Sequence, residues 1–277
     1  MTPTLQGHTS YHSHSRWSDG RKSLTEMIRA AEAAGLDEYG VADHFVLTPD
    51  RQPIDWSMPL DRLEEYVTEV QAAAAQAAST VRLGIEVDFF PETVAEVVAR
   101  LSPYPFDYLI GSVHYVDRFP IDSSADDWRP LSAAEVNEKH RLYWVRVAEL
   151  ARSGAFDFIG HLDLGKKFAC YPSVPPTAEI QTALQAIAEG GLAVELNTAG
   201  WDKPCAEAYP AFELLQRCQE AGVPVLMNDD SHSPRRIGGH YERGARLLRA
   251  AGYDEVVRFA GRERTAHPLV IPGETAP

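Results

Sequence analysis

Seven short apolar runs alternate with seven longer amphipathic ones along this chain, and few architectures accept that order. The runs at 9–14, 38–42, 81–87, 108–113, 156–160, 192–196 and 223–227 have the length and β-branched content of buried strands. Between and after them the spacing predicts helices at 23–34, 61–78, 94–101, 134–152, 177–189, 210–221 and 239–250. In the fourth, Val136, His140, Tyr143, Val147 and Leu150 fall on one stripe at helical spacing. Ser23 stands three residues before Glu26, the pattern of a capping box. Gly35, Gly190-Gly191 and Gly222 stand where left-handed helix caps are expected. No linker-like tract and no fixed-period repeat interrupts the alternation, so it reads as one (β/α) barrel. The 277 residues are an ordinary length for that architecture, and a single domain over residues 1–277 is expected.

The composition removes several classes of function. No apolar run approaches the roughly 18 residues of a membrane span. The opening residues lack the charged and apolar regions of a signal peptide, so a cytoplasmic protein with no membrane partner is expected. The three cysteines, Cys170, Cys205 and Cys218, show no CxxC spacing, which speaks against a disulfide framework or a structural zinc knuckle. A net charge of −14 argues against nucleic-acid binding, which relies on Lys and Arg to neutralise phosphates. It still permits a small phosphate ester held by a few local cations. Oligomeric state is not legible at this level.

A barrel of this kind carries its chemistry at the C-terminal ends of the strands. His12 and His14 close the first run, and Asp43 and His44 follow the second. Glu86 ends the third. His114 follows the fourth, and His161 and Asp163 the fifth. Glu195 and Asn197 end the sixth, and Asp230 and His232 follow the seventh. Residues two apart on an extended chain share a face, so His12 projects with His14 and Asp230 with His232. A lone histidine after a strand is usually a hydrogen-bonded structural residue. Seven successive strand ends delivering His, Asp or Glu to one rim are a different matter, and six of the ten histidines lie there. Imidazole with carboxylate suits zinc, manganese or iron. Asp163 and Glu195 could instead orient a neighbouring histidine or lysine. His8, His140, His240 and His267 have no such positional support.

These motifs resemble those of the PHP superfamily, named for polymerase and histidinol phosphatase. The likeness runs from Tyr11 to about Gly239. It includes His12-Ser13-His14, Ser18-Asp19-Gly20, Ala42-Asp43-His44, Gly84-Ile85-Glu86, Gly111-Ser112-Val113-His114, Gly160-His161 and Asp230-Ser231-His232. Within the superfamily the chain looks like the monofunctional histidinol-phosphate phosphatases, by Gly111–Asp117, Gly160–Leu164 and Glu195–Pro204. The resemblance implies a distorted (β/α)7 TIM-like barrel and three divalent metal ions, Mn, Zn or Fe. One would be held by His12, His14, Glu86 and Asp230. A second would share Glu86 and add His114 and His161. A third would use Asp19, His44 and His232. It also implies a phosphate clamp drawn from Lys166, Lys167, Asn197 and Lys203, with lysine where relatives carry arginine.

The implied reaction is hydrolysis of L-histidinol phosphate to L-histidinol and phosphate in histidine biosynthesis. Phosphate monoesters have one of the highest uncatalysed barriers known. Clustered divalent ions meet it by activating water and neutralising phosphoryl oxygens. Asp43, Asp163 or a metal-bound water is a candidate to protonate the leaving alkoxide, and the sequence does not choose among them. Two long connections, 45–59 and 115–130, would cover the mouth. Glu207 and Asp117 are candidates to meet the amino and imidazole groups. The alternative in the same chemistry is a phosphoesterase for nucleotides or other small monoesters. An exonuclease should bring a basic groove or a fused polymerase, and neither is evident. An amidohydrolase would place a carboxylated lysine where this chain has His114. A structural PHP domain would have lost ligands that this chain keeps.

Overall fold

Every expected strand is present, and each carries its ligand-type residues at or just beyond its C-terminal end. The structure is a computed structural model and describes residues 5–272. The strands are β1 (Thr9–Ser10), β2 (Glu38–Val41), β3 (Thr80–Asp88), β4 (Tyr108–Ser112), β5 (Phe158–Ile159), β6 (Ala193–Asn197) and β7 (Val225–Asn228). They pair in chain order, every neighbour parallel. A parallel bridge from Ser13 to Ser231 brings the two edges together, so the barrel is nearly closed. A further two-residue strand, His44–Phe45, pairs with the end of β3.

Parallel strands need crossover connections, and helices supply them. These are α1 (Leu24–Ala34), α2 (Leu63–Ala74), α3 (Val94–Leu101), α4 (Ala133–Arg152), α5 (Thr177–Gly190) and α6 (Phe212–Glu220), with α7 (Tyr241–Ala250) after the last strand. The Ser23–Glu26 capping box opens α1, and Gly35 closes it with φ 83°, a conformation that a Cβ would strain. Gly191 and Gly222 are left-handed as well. On α4, His140, Tyr143, Val147 and Leu150 are buried and Val136 packs against the core.

Two boundaries differ most from expectation. The first strand stops at Ser10 rather than 14, because the Tyr11 N–H donates to the Asn228 side chain at 2.8 Å and leaves the ladder. Residues 11–14 then run up the rim beside Ser231. The second helix stops at Ala74, and the Ala78 and Ser79 N–H groups donate to Glu32 on α1 instead.

An antiparallel hairpin, β8 (Glu255–Ala260) with β9 (Glu263–Pro268), lies beyond the expected elements. Its Val257 and Phe259 join Tyr11, Tyr108, Ile110, Phe158, Ala193 and Leu226 in an apolar plug inside the barrel. Tyr108, Phe158 and Ala193 are the first residues of their strands, so the plug fills the end opposite the ligand-bearing rim. Among the described residues, no helix is long and apolar enough to cross a membrane.

Candidate metal centre

Glu86 is the hub of the rim. It sits near the end of β3, fully buried, with imidazoles on both carboxylate oxygens. Its Oε2 lies 2.8 Å from His44 Nδ1, 3.2 Å from His12 Nε2 and 3.6 Å from His14 Nε2. Its Oε1 lies 3.0 Å from His161 Nε2 and 3.7 Å from His114 Nε2. Asp230 Oδ1 lies 3.1 Å from His14 Nε2 and 3.7 Å from His12 Nε2. Asp19 Oδ1 lies 3.2 Å from His232 Nε2 and 3.7 Å from His44 Nε2.

The backbone is bent to achieve this. His161 and Asp230 hold positive φ, 25° and 49°, the kind of local strain that clusters at functional sites. The turn after His14 closes on Gly20, where a Cβ would stand 2.4 Å from the His14 carbonyl. Only glycine permits that approach, which brings Asp19 back over the histidines.

All nine ligand-type residues thus meet, in four overlapping groups whose donor atoms lie within 4.8 Å of one another. These are His12–His14–Glu86, His12–His161–Asp230, Glu86–His114–His161 and His14–Asp19–His44–His232. Ligands about 2.0–2.1 Å from a shared zinc in a tetrahedron stand about 3.3 Å apart. The spacings here bracket that value. His114 Nε2 faces His161 Nε2 at 3.2 Å, close enough for the two ring nitrogens to share one ion or one proton. His12 Nε2 and Glu86 Oε2 are buried with no hydrogen-bond partner. Orphaned donor atoms at ligand spacing fit a divalent cation.

A layer of carboxylates and amides fixes these ligands from behind. Glu195 accepts from His12 Nδ1 at 2.9 Å, from the His161 N–H, and from the Asn197 and Asn228 amides. That turns His12 Nε2 toward Glu86 and Asp230. Asp88 accepts from the His114 N–H and lies 3.6 Å from its Nδ1. Electrostatics couple the two layers. Burial by itself lowers the His12 pKa, but Glu195, Glu86 and Asp230 outweigh it and hold it well above the ordinary value. Burial raises the Glu86 pKa, and His12 and His44 outweigh it in the other direction.

The rim opens into a cavity of about 600 Å³. Of the expected phosphate-binding residues, Lys167 and Lys203 line it. Four of the expected catalytic and phosphate-binding residues do not. Asp43 is fully buried, and its oxygens are taken by the N–H and hydroxyl groups of Ser15 and Ser18. Adjacent residues of an extended chain face opposite ways, so His44 turned to the cavity turns Asp43 from it. Asp163 is committed through Oδ2 to Lys166 at 3.0 Å and to the Ala211 N–H, while its buried Oδ1 has no hydrogen-bond partner. Burial pushes its pKa up to about 6 although Lys166 opposes this. Lys166 is buried, its Nζ held by Asp163, Glu207 and the Ala208 carbonyl. Asn197 donates to Glu195 and Asp230 and accepts from the Ala199 N–H, which leaves nothing for a substrate. Glu207 pairs with Lys166 and Asp117 with Arg146, and neither lines the cavity.

Three charged cavity residues escaped the sequence reading: Arg21, Asp122 and Arg236. The two arginines follow Asp19 and His232 by two and four residues, a proximity that offered the only signal. Asp122 holds Lys167 Nζ at 2.9 Å. Trp56, from the 45–59 connection, packs edge-on to His44 and His114, with centroids at 4.7 and 5.5 Å.

Comparison with known proteins places this geometry in context. The family model of the PHP domain matches residues 10–199. A Deinococcus radiodurans protein named probable histidinol-phosphatase is 39% identical over 234 residues, 82% of this chain and 86% of that protein. The histidinol-phosphatase of Lactococcus lactis is 24% identical over 261 residues, 91% and 94% of the two chains. A crystal structure of histidinol phosphate phosphatase from Lactococcus lactis, complexed with zinc, L-histidinol and phosphate, matches this fold with a TM-score of 0.76. That match has 22% identity and covers 93% of this chain and 98% of the other.

Proposed function

The chain belongs to the PHP family, and from that premise we propose that it is a metal-dependent phosphatase that hydrolyses L-histidinol phosphate to L-histidinol and phosphate. The step belongs to histidine biosynthesis. The observation that carries the reading is the meeting of nine imidazole and carboxylate residues beside a cavity lined by four cations, Arg21, Lys167, Lys203 and Arg236. The 39% identical relative bears the matching name.

In this proposal His12, His14, Glu86 and Asp230 hold one divalent ion, Glu86, His114 and His161 a second, and Asp19, His44 and His232 a third. Zinc, manganese and iron all suit the donor set. Such ions, when bound, activate water at neutral pH and neutralise phosphoryl charge. The chain's own residues do the rest. Glu195 holds the His12 tautomer and Asn197 steadies Asp230. The four cations balance the charge of the phosphate, and Trp56 shields the His44–His114 flank from water. Asp43 and Asp163 act as buried struts. The three cysteines are free thiols, as suits a reaction in the cytoplasm.

Phosphate release from L-histidinol phosphate, AMP and p-nitrophenyl phosphate, with and without added Mn or Zn, tests the reading. Histidinol phosphate should lead the others in kcat/KM by at least about tenfold. Equal rates would mean a general phosphomonoesterase, and a lead for AMP would mean a nucleotide enzyme. Asp230→Asn should lower kcat by at least about 100-fold with the circular dichroism spectrum unchanged. Wild-type kcat in that variant would rule out the assigned metal set.

A further inference from the structure

A second cavity lies outside the barrel, between the end of α1 and the start of α7. Its volume, about 630 Å³, is within the range of small-molecule sites. Leu5, Ala33, Ala34, Ile237 and Pro272 supply its apolar surface. His240, Arg243 and Arg246 supply the basic groups, and Glu242, the acid of the lining, is held by Arg246 at 3.3 Å. Arg243 has no carboxylate partner among the described residues, and its guanidinium lies over the Trp201 ring at 4.2 Å. An anion that met it would displace no protein carboxylate. His240 and Arg243 are three residues apart at the head of α7, so one anion can reach both.

The segment 232–240 is the wall between this cavity and the metal centre. His232, Ser233 and Arg236 line the rim cavity, and Ile237, Gly238 and His240 line the second one. A shared ion bridge crosses that wall. Asp202 Oδ2 accepts from Arg236 Nη2 and lies 2.9 Å from His240 Nε2. We infer that the second cavity is a regulatory site for an organic carboxylate with an apolar body. The apolar surface takes the body out of water, and Arg243 with His240 takes the carboxylate. A carboxylate beside His240 competes with Asp202 for the imidazole. Asp202 then turns wholly to Arg236 and draws that guanidinium from the metal centre, which weakens the hold on phosphate. The bridge is partly exposed, so the coupling is about threefold rather than a switch. By linkage, phosphate at the metal centre weakens the carboxylate by the same factor. Binding at this site does not need L-histidinol phosphate to be the substrate.

The test titrates phenylbutyrate, and its uncharged counterpart phenylbutanol, into the metal-loaded enzyme by calorimetry, with and without saturating inorganic phosphate. Phenylbutyrate should bind at least about tenfold tighter than the alcohol, and phosphate should weaken it about threefold without displacing it. Arg243→Gln should weaken phenylbutyrate about tenfold and leave phenylbutanol affinity and kcat within about twofold of wild type. Ala33→Trp, on the exposed lip of the cavity, should abolish binding of both. Asp202→Ala should keep phenylbutyrate bound and remove its dependence on phosphate. No binding by the wild type overturns the inference, as does binding that Arg243→Gln and Ala33→Trp leave unchanged. Full displacement by phosphate would put the ligand at the metal centre and overturn it as well. Phenylbutyrate bound equally with and without phosphate overturns the coupling. A protein that meets these expectations and prefers another substrate overturns the proposed function alone, a separate result.

Discussion

Glu195 never faces the cavity, yet it decides how the His12 ring is turned. Its carboxylate gathers His12 Nδ1, the His161 N–H and two amides. Glu195→Gln replaces one acceptor oxygen with a donor and sets it against those donors. The expected result is a loss of metal affinity of at least about tenfold, read by competition with a chromogenic chelator. Unchanged affinity would show that His12 needs no support. The same scale shows where sequence reasoning runs out. Spacing located the chemistry to a segment, because strand ends of a barrel share one rim. It could not always choose between neighbours within a segment. His44 faces the cavity and Asp43 a serine-lined turn. Lys167 reaches the cavity, while Lys166 goes to Asp163 and Glu207. One step along the chain reverses a side chain's direction, and only the packing around it reveals which way it went. Arg21 and Arg236 were hidden for another reason. Exposed arginines in turns are common, and nothing local separates these two from the rest.

At the scale of elements the sequence was far more legible. The helices expected at 94–101, 134–152 and 177–189 begin and end within one residue of expectation. Their ends are set by local chemistry, such as the Ser132–Glu135 capping box of α4 and the left-handed Gly191 after α5. The hairpin β8–β9 went unseen because its second strand, Glu263–Pro268, is almost wholly exposed and carries no apolar alternation. Its first strand nevertheless closes the barrel. Phe259 is buried and stacks on Phe158 with centroids 5.7 Å apart. Phe259→Ala should cost about 3–5 kcal/mol in urea unfolding. Turnover per folded molecule should be unaffected, since the plug lies at the end opposite the site. A fall in kcat matching the fall in stability would mean that floor and rim are coupled.

Across the whole molecule, the barrel joins residues that are far apart in sequence. His8, just before β1, is buried against Tyr241 of α7, with centroids at 5.7 Å, and its Nε2 has no hydrogen-bond partner. Burial lowers its pKa to about 4, which Asp37 opposes and Arg258 reinforces. The folded chain therefore keeps His8 neutral where the unfolded chain, near 6.5, takes up a proton. Its stabilising share is complete above pH 6.5 and drains away as pH falls toward 4, at about 1.4 kcal/mol per pH unit. Between pH 7 and 5, wild type should lose about 2 kcal/mol relative to His8→Phe in matched unfolding curves, and a constant difference would contradict the assignment. The central claim concerns the other end of the barrel, where nine residues from six of the seven strand ends form one centre. It is tested most directly by stripping the protein with a chelator and following phosphate release from L-histidinol phosphate as Zn or Mn is titrated back. Turnover should vanish in the stripped protein and return in step with bound metal. Full turnover with no metal bound would contradict the account.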